Sequence, residues 1–74
     1  MTFSEKELNT ILTDMQTEYD NYNEYLKFKT ENGDRQSDYH RAYLFGMIRI
    51  MNILGYIVKV NVGNKISICK EDEA

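Results

Sequence analysis

The sequence predicts an α+β domain: an antiparallel helical hairpin packed on a C-terminal two-stranded β-hairpin, in the order helix, helix, strand, strand, and dimeric. Three observations predict it. Apolar residues recur at helical spacing from Leu8 to Leu54. From Tyr56 onward the apolar period drops to two. The pair Gly63-Asn64 then divides that alternating stretch, as a hairpin turn would.

The first helix is expected over 4–32. "TFSEKEL" opens it, with Ser4 as N-cap and Glu7 three residues later completing a capping box. Phe3, just before the cap, is placed to staple onto Leu8. The row Leu8, Leu12, Met15, Tyr19, Tyr22, Leu26 has 4-3-4-3-4 spacing and makes one stripe, which Ile11 widens. Asn32-Gly33 is a stop signal, and Lys27 and Lys29 suit the negative end of the helix dipole.

The second helix is expected over 35–54, capped by Asp34 or Ser37 and ended by Gly55 as a left-handed residue, with Tyr56 closing the cap by an apolar contact. At 100° per residue, Asp38, Arg41, Phe45, Arg49 and Asn52 fall within an arc of about 80°. Apolar residues fill the remaining arc of roughly 240°, against about 100° for an ordinary surface helix. This helix has more apolar circumference than the first helix alone can cover. Tyr43, Gly46, Met47 and Ile50 are therefore the candidate dimer or core positions. Glycine inside a helix costs about 1 kcal/mol, so Gly46 implies that another backbone comes close.

The strands are expected over 56–62 and 65–70, with 71–74 as an acidic tail after a single domain spanning 1–70. A two-residue Gly-Asn loop would set the isoleucines on the face opposite the valines. Only an odd loop, Val62-Gly63-Asn64 with Asn64 left-handed, makes one face wholly apolar, so that loop is expected. A two-stranded sheet has two open edges and is marginal alone, which again favours a second chain.

The 74 residues carry one cysteine and no cluster of Cys and His, so neither a disulfide nor a structural metal staples the fold. Such a chain buries roughly 60% of its unfolded surface. The polar start argues against a signal peptide, and no apolar run reaches the ~18 residues of a membrane span. A cytoplasmic protein with Cys69 reduced and no membrane role is expected. Net charge is −3, unevenly laid out: residues 4–31 carry −4, residues 34–70 carry +4, and the tail carries −3. That layout suits neither a strongly basic nucleic-acid binder nor a strongly acidic DNA mimic.

No nucleophile site, acid/base pair or phosphate loop is present, so no enzyme and no cofactor is expected. His40 reads as a core-edge imidazole bonded to a group of the first helix, such as a tyrosine. Cys69 reads as a plain small residue on a polar strand face, and Tyr19 and Tyr22 as packing. Tyr25 differs. With Glu7, Asp14, Glu18, Asn21 and Phe28 it makes a second stripe on the flank of the first helix, suited to a basic protein surface. Arg41, Phe45 and Arg49, at i, i+4, i+8, offer an aromatic anchor between two guanidinium groups, or intramolecular cover for first-helix carboxylates.

The chain is rich in Lys, Asn, Ile and Tyr, lacks Pro and Trp, and carries "HRAYLFGMIRIMNILGY" ahead of its hairpin. In this it resembles the small accessory proteins encoded by phages and prophages of low-GC Gram-positive bacteria. The resemblance implies a stand-alone protein that binds and modulates a host or phage macromolecule. Some members of that group inhibit bacterial defence, anti-CRISPR proteins among them.

The leading expectation is thus a non-catalytic protein-binding module, an inhibitor or modulator acting through the acidic, tyrosine-bearing first helix on a partner with a basic surface. The alternative is a dimeric DNA-binding regulator that uses the second helix and the hairpin as a wing, with Arg35, Arg41, Lys59 and Lys65 on its basic side. A third reading is a structural subunit stable only inside a larger assembly.

Overall fold

Two helices lead into an antiparallel hairpin in a computed structural model that describes residues 2–28 and 30–73. Helix α1 spans Glu5–Leu26 and α2 spans Glu31–Ile53; strands β1, Tyr56–Asn61, and β2, Lys65–Lys70, follow. The α+β, ααββ arrangement is the one the sequence predicts.

The capping box opens α1: Glu7 N–H donates to Ser4 Oγ at 3.1 Å, and Ser4 N–H donates to Glu7 Oε1 at 2.8 Å. The end of α1 corrects the expectation of a helix over 4–32, since it stops at Leu26 with Lys27 as C-cap. Asn32 and Gly33 do not end α1; they sit in the first turn of α2. Thr30 begins α2, in place of Asp34 or Ser37: its backbone is extended and its Oγ1 accepts from Gly33 N–H at 3.0 Å. Gly33 lets the connection fold tightly. A Cβ there would lie 2.5 Å from the Phe28 carbonyl oxygen and 2.9 Å from Phe28 Cβ. Lys29, expected at the end of the helix dipole, lies outside the described residues.

Helix α2 ends with Leu54 as C-cap and Gly55 left-handed at φ 91°, as expected. The hairpin pairs Val58 with Ile68, Val60 with Ile66 and Asn61 with Lys65. Three residues, Val62, Gly63 and Asn64, make the loop, with Asn64 at φ 61° and Gly63 at φ 81°. The odd loop is confirmed, and valines and isoleucines share one face. Strand β1 stops at Asn61, short of the expected residue 62, because Val62 belongs to the turn, where it is fully exposed. Of the acidic tail, Glu71–Glu73 form a single 3-10 turn, pinned by Glu71 N–H to the Gly55 carbonyl at 2.9 Å.

The core lies where α1, α2 and the even-numbered sheet face meet. Met15, Leu44 and Ile66 are buried at its centre, with Ile11, Leu12, Tyr19, Met47, Ile48, Val58 and Ile68 packed around them. Met51 and Tyr56 are buried as well. Phe3 reaches beyond its own helix: its ring lies 5.6 Å from that of Tyr56, whose hydroxyl accepts the Phe3 N–H at 3.0 Å. Gln16 ties α1 to the hairpin. Its Oε1 accepts from Ile66 N–H at 2.8 Å, and its Nε2 donates to the Asn64 carbonyl at 2.9 Å. One edge of the sheet is thereby met from within the chain.

Candidate protein interface on the second helix

Three groups from two helices meet at His40. Its Nδ1 lies 2.5 Å from Glu18 Oε2, its ring stacks on Tyr25 at 5.5 Å, and Tyr39 meets it edge-on at 5.3 Å. His40 and Glu18 are each mostly buried at the side chain. The imidazole is thus bonded to α1 as expected, but through a carboxylate, with a tyrosine supplying the stack.

This cluster corrects the reading of Glu18 and Tyr25 as a free flank of α1. On the wheel they border the apolar stripe, and the long side chain of α2 reaches them. Asp14 and Phe28 of that flank remain exposed, Asn21 and Tyr25 are half-buried, and the Tyr25 and Phe28 rings lie 6.3 Å apart. Tyr19 and Tyr22 pack against each other at 6.3 Å, and the Tyr19 hydroxyl donates to Asn64 Oδ1 at 3.1 Å.

On α2, the buried residues Gly33, Ser37, Leu44 and Met51 follow one side of the helix. The opposite side carries Tyr39, Tyr43, Gly46, Ile50 and Ile53, spaced 4-3-4-3 and confined to about 80° of arc. The four large residues of that row are 63%, 51%, 59% and 73% exposed in chain order. The expected surplus of apolar circumference on α2 is therefore real within this chain. Among the four positions singled out from sequence, Tyr43, Gly46 and Ile50 are on the free side, whereas Met47 packs against the core.

At Gly46 the close approach of another backbone is not made by the described residues of this chain. Apart from its own helix backbone, no atom of the described residues lies within 4 Å of a Cβ built there, so no other backbone among them approaches it. The helix carries the ~1 kcal/mol penalty of a mid-helix glycine with no intramolecular return.

The row has distinct flanks. Beside Ile50, a shallow notch of about 170 Å³ is lined by Phe3, Ile11, Met47, Ile50 and Met51, which places α1 along that side. On the other side stand Arg49 and, further round, Phe45 and Arg41, all exposed. Arg41 lies 3.6 Å from Asp38 of its own helix rather than covering α1 carboxylates, and Arg49 has no ion-pair partner among the described residues.

Cys69 is free and half-buried. Among the described residues, no group of three His, Cys, Asp or Glu side chains stands close enough to hold a metal ion. No helix among the described residues is long and apolar enough to cross a membrane. The chain matches no family model, no curated protein and no solved structure.

Proposed function

We propose that this chain is a small non-catalytic protein-binding module, of the inhibitor or modulator kind that the resemblance to phage accessory proteins implies. Its binding face is the free row of α2 with the acidic flank of α1 beside it. One observation carries the reading. Tyr39, Tyr43, Ile50 and Ile53 stand in line, each more than half exposed, on a helix whose other side already serves the core. Single apolar residues on a surface need no explanation, but a contiguous row rimmed by charge matches the anatomy of protein interfaces.

The weight of the binding face thus shifts from α1 to α2. Glu18 and Tyr25 serve the His40 cluster, which leaves Asp14, Asn21 and Phe28 as rim. A helix that reads DNA needs polar or basic groups on its free side. The central row of the free side of α2 is apolar, with Arg49 as its basic rim, and Arg35 and Arg41 stand in exposed pairs with Glu31 and Asp38 of their own helix.

The test compares tagged wild-type protein with the variant Ile50→Asp/Ile53→Asp in capture from bacterial lysate, with circular dichroism as the folding control. Loss of the captured protein by tenfold or more supports the reading. Equal capture by both proteins moves the interface off α2. A gel shift with DNA that weakens steeply with salt would transfer the function to nucleic-acid binding.

A further inference from the structure

We infer that the occupant of the free row on α2 is a second copy of this chain, paired with its helix parallel to the first about a two-fold axis running along the seam. The inference rests on reading that row as an interface, and it adds the partner and the geometry.

The spacing is the first support. Tyr39, Tyr43, Gly46, Ile50 and Ile53 repeat as alternate positions of a heptad, the pattern by which two helices bury a common seam. A two-fold operation makes such a seam self-complementary with no other partner needed. Gly46 is the second support. It sits mid-seam with nothing among the described residues outside its own helix against it, and a glycine there lets a facing backbone approach closely.

Charge then chooses the direction. Helix α1 runs antiparallel to α2: His40 is level with Glu18 and Tyr25, and Met47 and Ile50 are level with Ile11. Arg49 therefore stands level with the segment of α1 between Glu7 and Asp14, but on the opposite rim of the seam. If the two copies of α2 ran antiparallel, each rim would face its own like: acids over acids and Arg49 over Arg49. If they run parallel, the Glu7–Asp14 rim of one copy faces Arg49 of the other, twice. Like charges across an interface are disfavoured and opposite charges fix its register. Arg49, which lacks an ion-pair partner among the described residues, gains carboxylates.

Area agrees that both parts must take part. Four half-exposed side chains supply on the order of 400 Å² a side. A standard interface covers about 800 Å² a side, so the α1 rim and the apolar notch must close over the partner too.

The experiment uses the full chain carrying Cys69→Ser, which removes adventitious disulfides. Sedimentation and light scattering should give twice the 8.8 kDa chain mass, in a concentration-dependent manner. Ile50→Asp should weaken self-association at least tenfold. Gly46→Leu, whose Cβ meets nothing within 4 Å outside its own helix backbone among the described residues, should leave the fold intact and also yield monomer. Arg49→Glu should weaken the dimer, and Asp14→Lys added to it should restore it. Ile53→Cys should cross-link to itself on mild oxidation, since at the end of the seam, away from its centre, like positions meet only in the parallel pair.

A wild-type chain that stays monomeric at millimolar concentration overturns the inference, as does a dimer indifferent to Ile50→Asp. A monomer that still captures another protein through Ile50 and Ile53 overturns the second copy alone. A monomer whose capture ignores those residues removes the interface reading with it. A dimer that cross-links only when Tyr39→Cys and Ile53→Cys are combined overturns the parallel direction.

Discussion

Gln16 of α1 holds Ile66 of β2: the side-chain carbonyl accepts the Ile66 N–H at 2.8 Å, fifty positions along the chain. The same amide donates to the Asn64 carbonyl at 2.9 Å, and Tyr19 donates to the Asn64 side chain. A single polar side chain thus meets a strand edge and ties the tip of the hairpin to α1. Ile66 is itself part of the core, so the clamp and the packing pull on one segment.

Gln16→Ala should lower stability by about 1–2 kcal/mol, since it removes one part-buried bond and leaves the Ile66 N–H without an acceptor. Amide hydrogen exchange reads this at residue level. The Ile66 amide should lose protection far more than Met15 or Leu44. Gln16→Glu, which keeps an acceptor for Ile66 but no donor for Asn64, should fall between the two. Equal exchange at Ile66 in all three proteins would show that the clamp is incidental.

Ser37 is buried within α2, and its hydroxyl has no hydrogen-bond partner among the described residues. A buried unpaired polar group is destabilising by about 1–3 kcal/mol, and alanine is also the better helix former. Ser37→Ala should therefore stabilise the protein by about 1 kcal/mol, raising Tm by roughly 4–8 °C for a domain of this size. Thermal melting at low protein concentration checks it, and an unchanged or lower Tm would mean that water or a neighbour satisfies the hydroxyl.

Much of this architecture was legible because one-dimensional pattern and three-dimensional need coincided. The odd loop at Val62-Gly63-Asn64 followed from the demand that Val58, Val60, Ile66 and Ile68 share a face, and only that register does it. The surplus apolar arc of α2 followed from the wheel in the same way. The junction between the helices was not legible. Asn32-Gly33 makes a plausible stop, but Thr30 offers a cap to Gly33 N–H, and the close packing of Gly33 on Phe28 decides between two local signals of similar strength. Gln16 gave no signal, because a glutamine on a helix flank becomes a clamp only once a strand edge is brought beside it. Glu18 and Tyr25 looked free for a related reason: the wheel fixes a side chain's direction, but not the reach of His40 from the other helix.

The capping box should leave a mark on acid stability. The Glu7 carboxyl is held below its ordinary range by the hydrogen bond from the Ser4 backbone N–H and then by the Ser4 side chain. A carboxyl whose folded value is depressed contributes stability that is fully present above its unfolded value, about 4.3, and is lost as pH falls through the lower folded value. Glu7→Gln should therefore flatten the acid limb of the stability profile between about pH 5 and the onset of acid unfolding. Denaturant melts of both proteins across that range measure it. Parallel profiles would mean that the box does not persist in solution.

Two glycines of α2 make opposite predictions from the same substitution. Gly33→Ala drives a Cβ into the Phe28 carbonyl oxygen and Cβ, where the backbone at the interhelical turn cannot yield cheaply, so it should destabilise by about 1–3 kcal/mol. Gly46→Ala meets nothing within 4 Å and gains helix propensity, so in the single chain it should stabilise by about 1 kcal/mol. The second effect depends on concentration if two copies of α2 meet at Gly46. Dilute protein should show the gain, and concentrated protein should show it shrink or reverse, because the added methyl holds the facing backbones apart. Urea melts at two protein concentrations a hundredfold apart separate these contributions. A Gly46→Ala gain that is the same at both would leave the seam without a partner of its own kind.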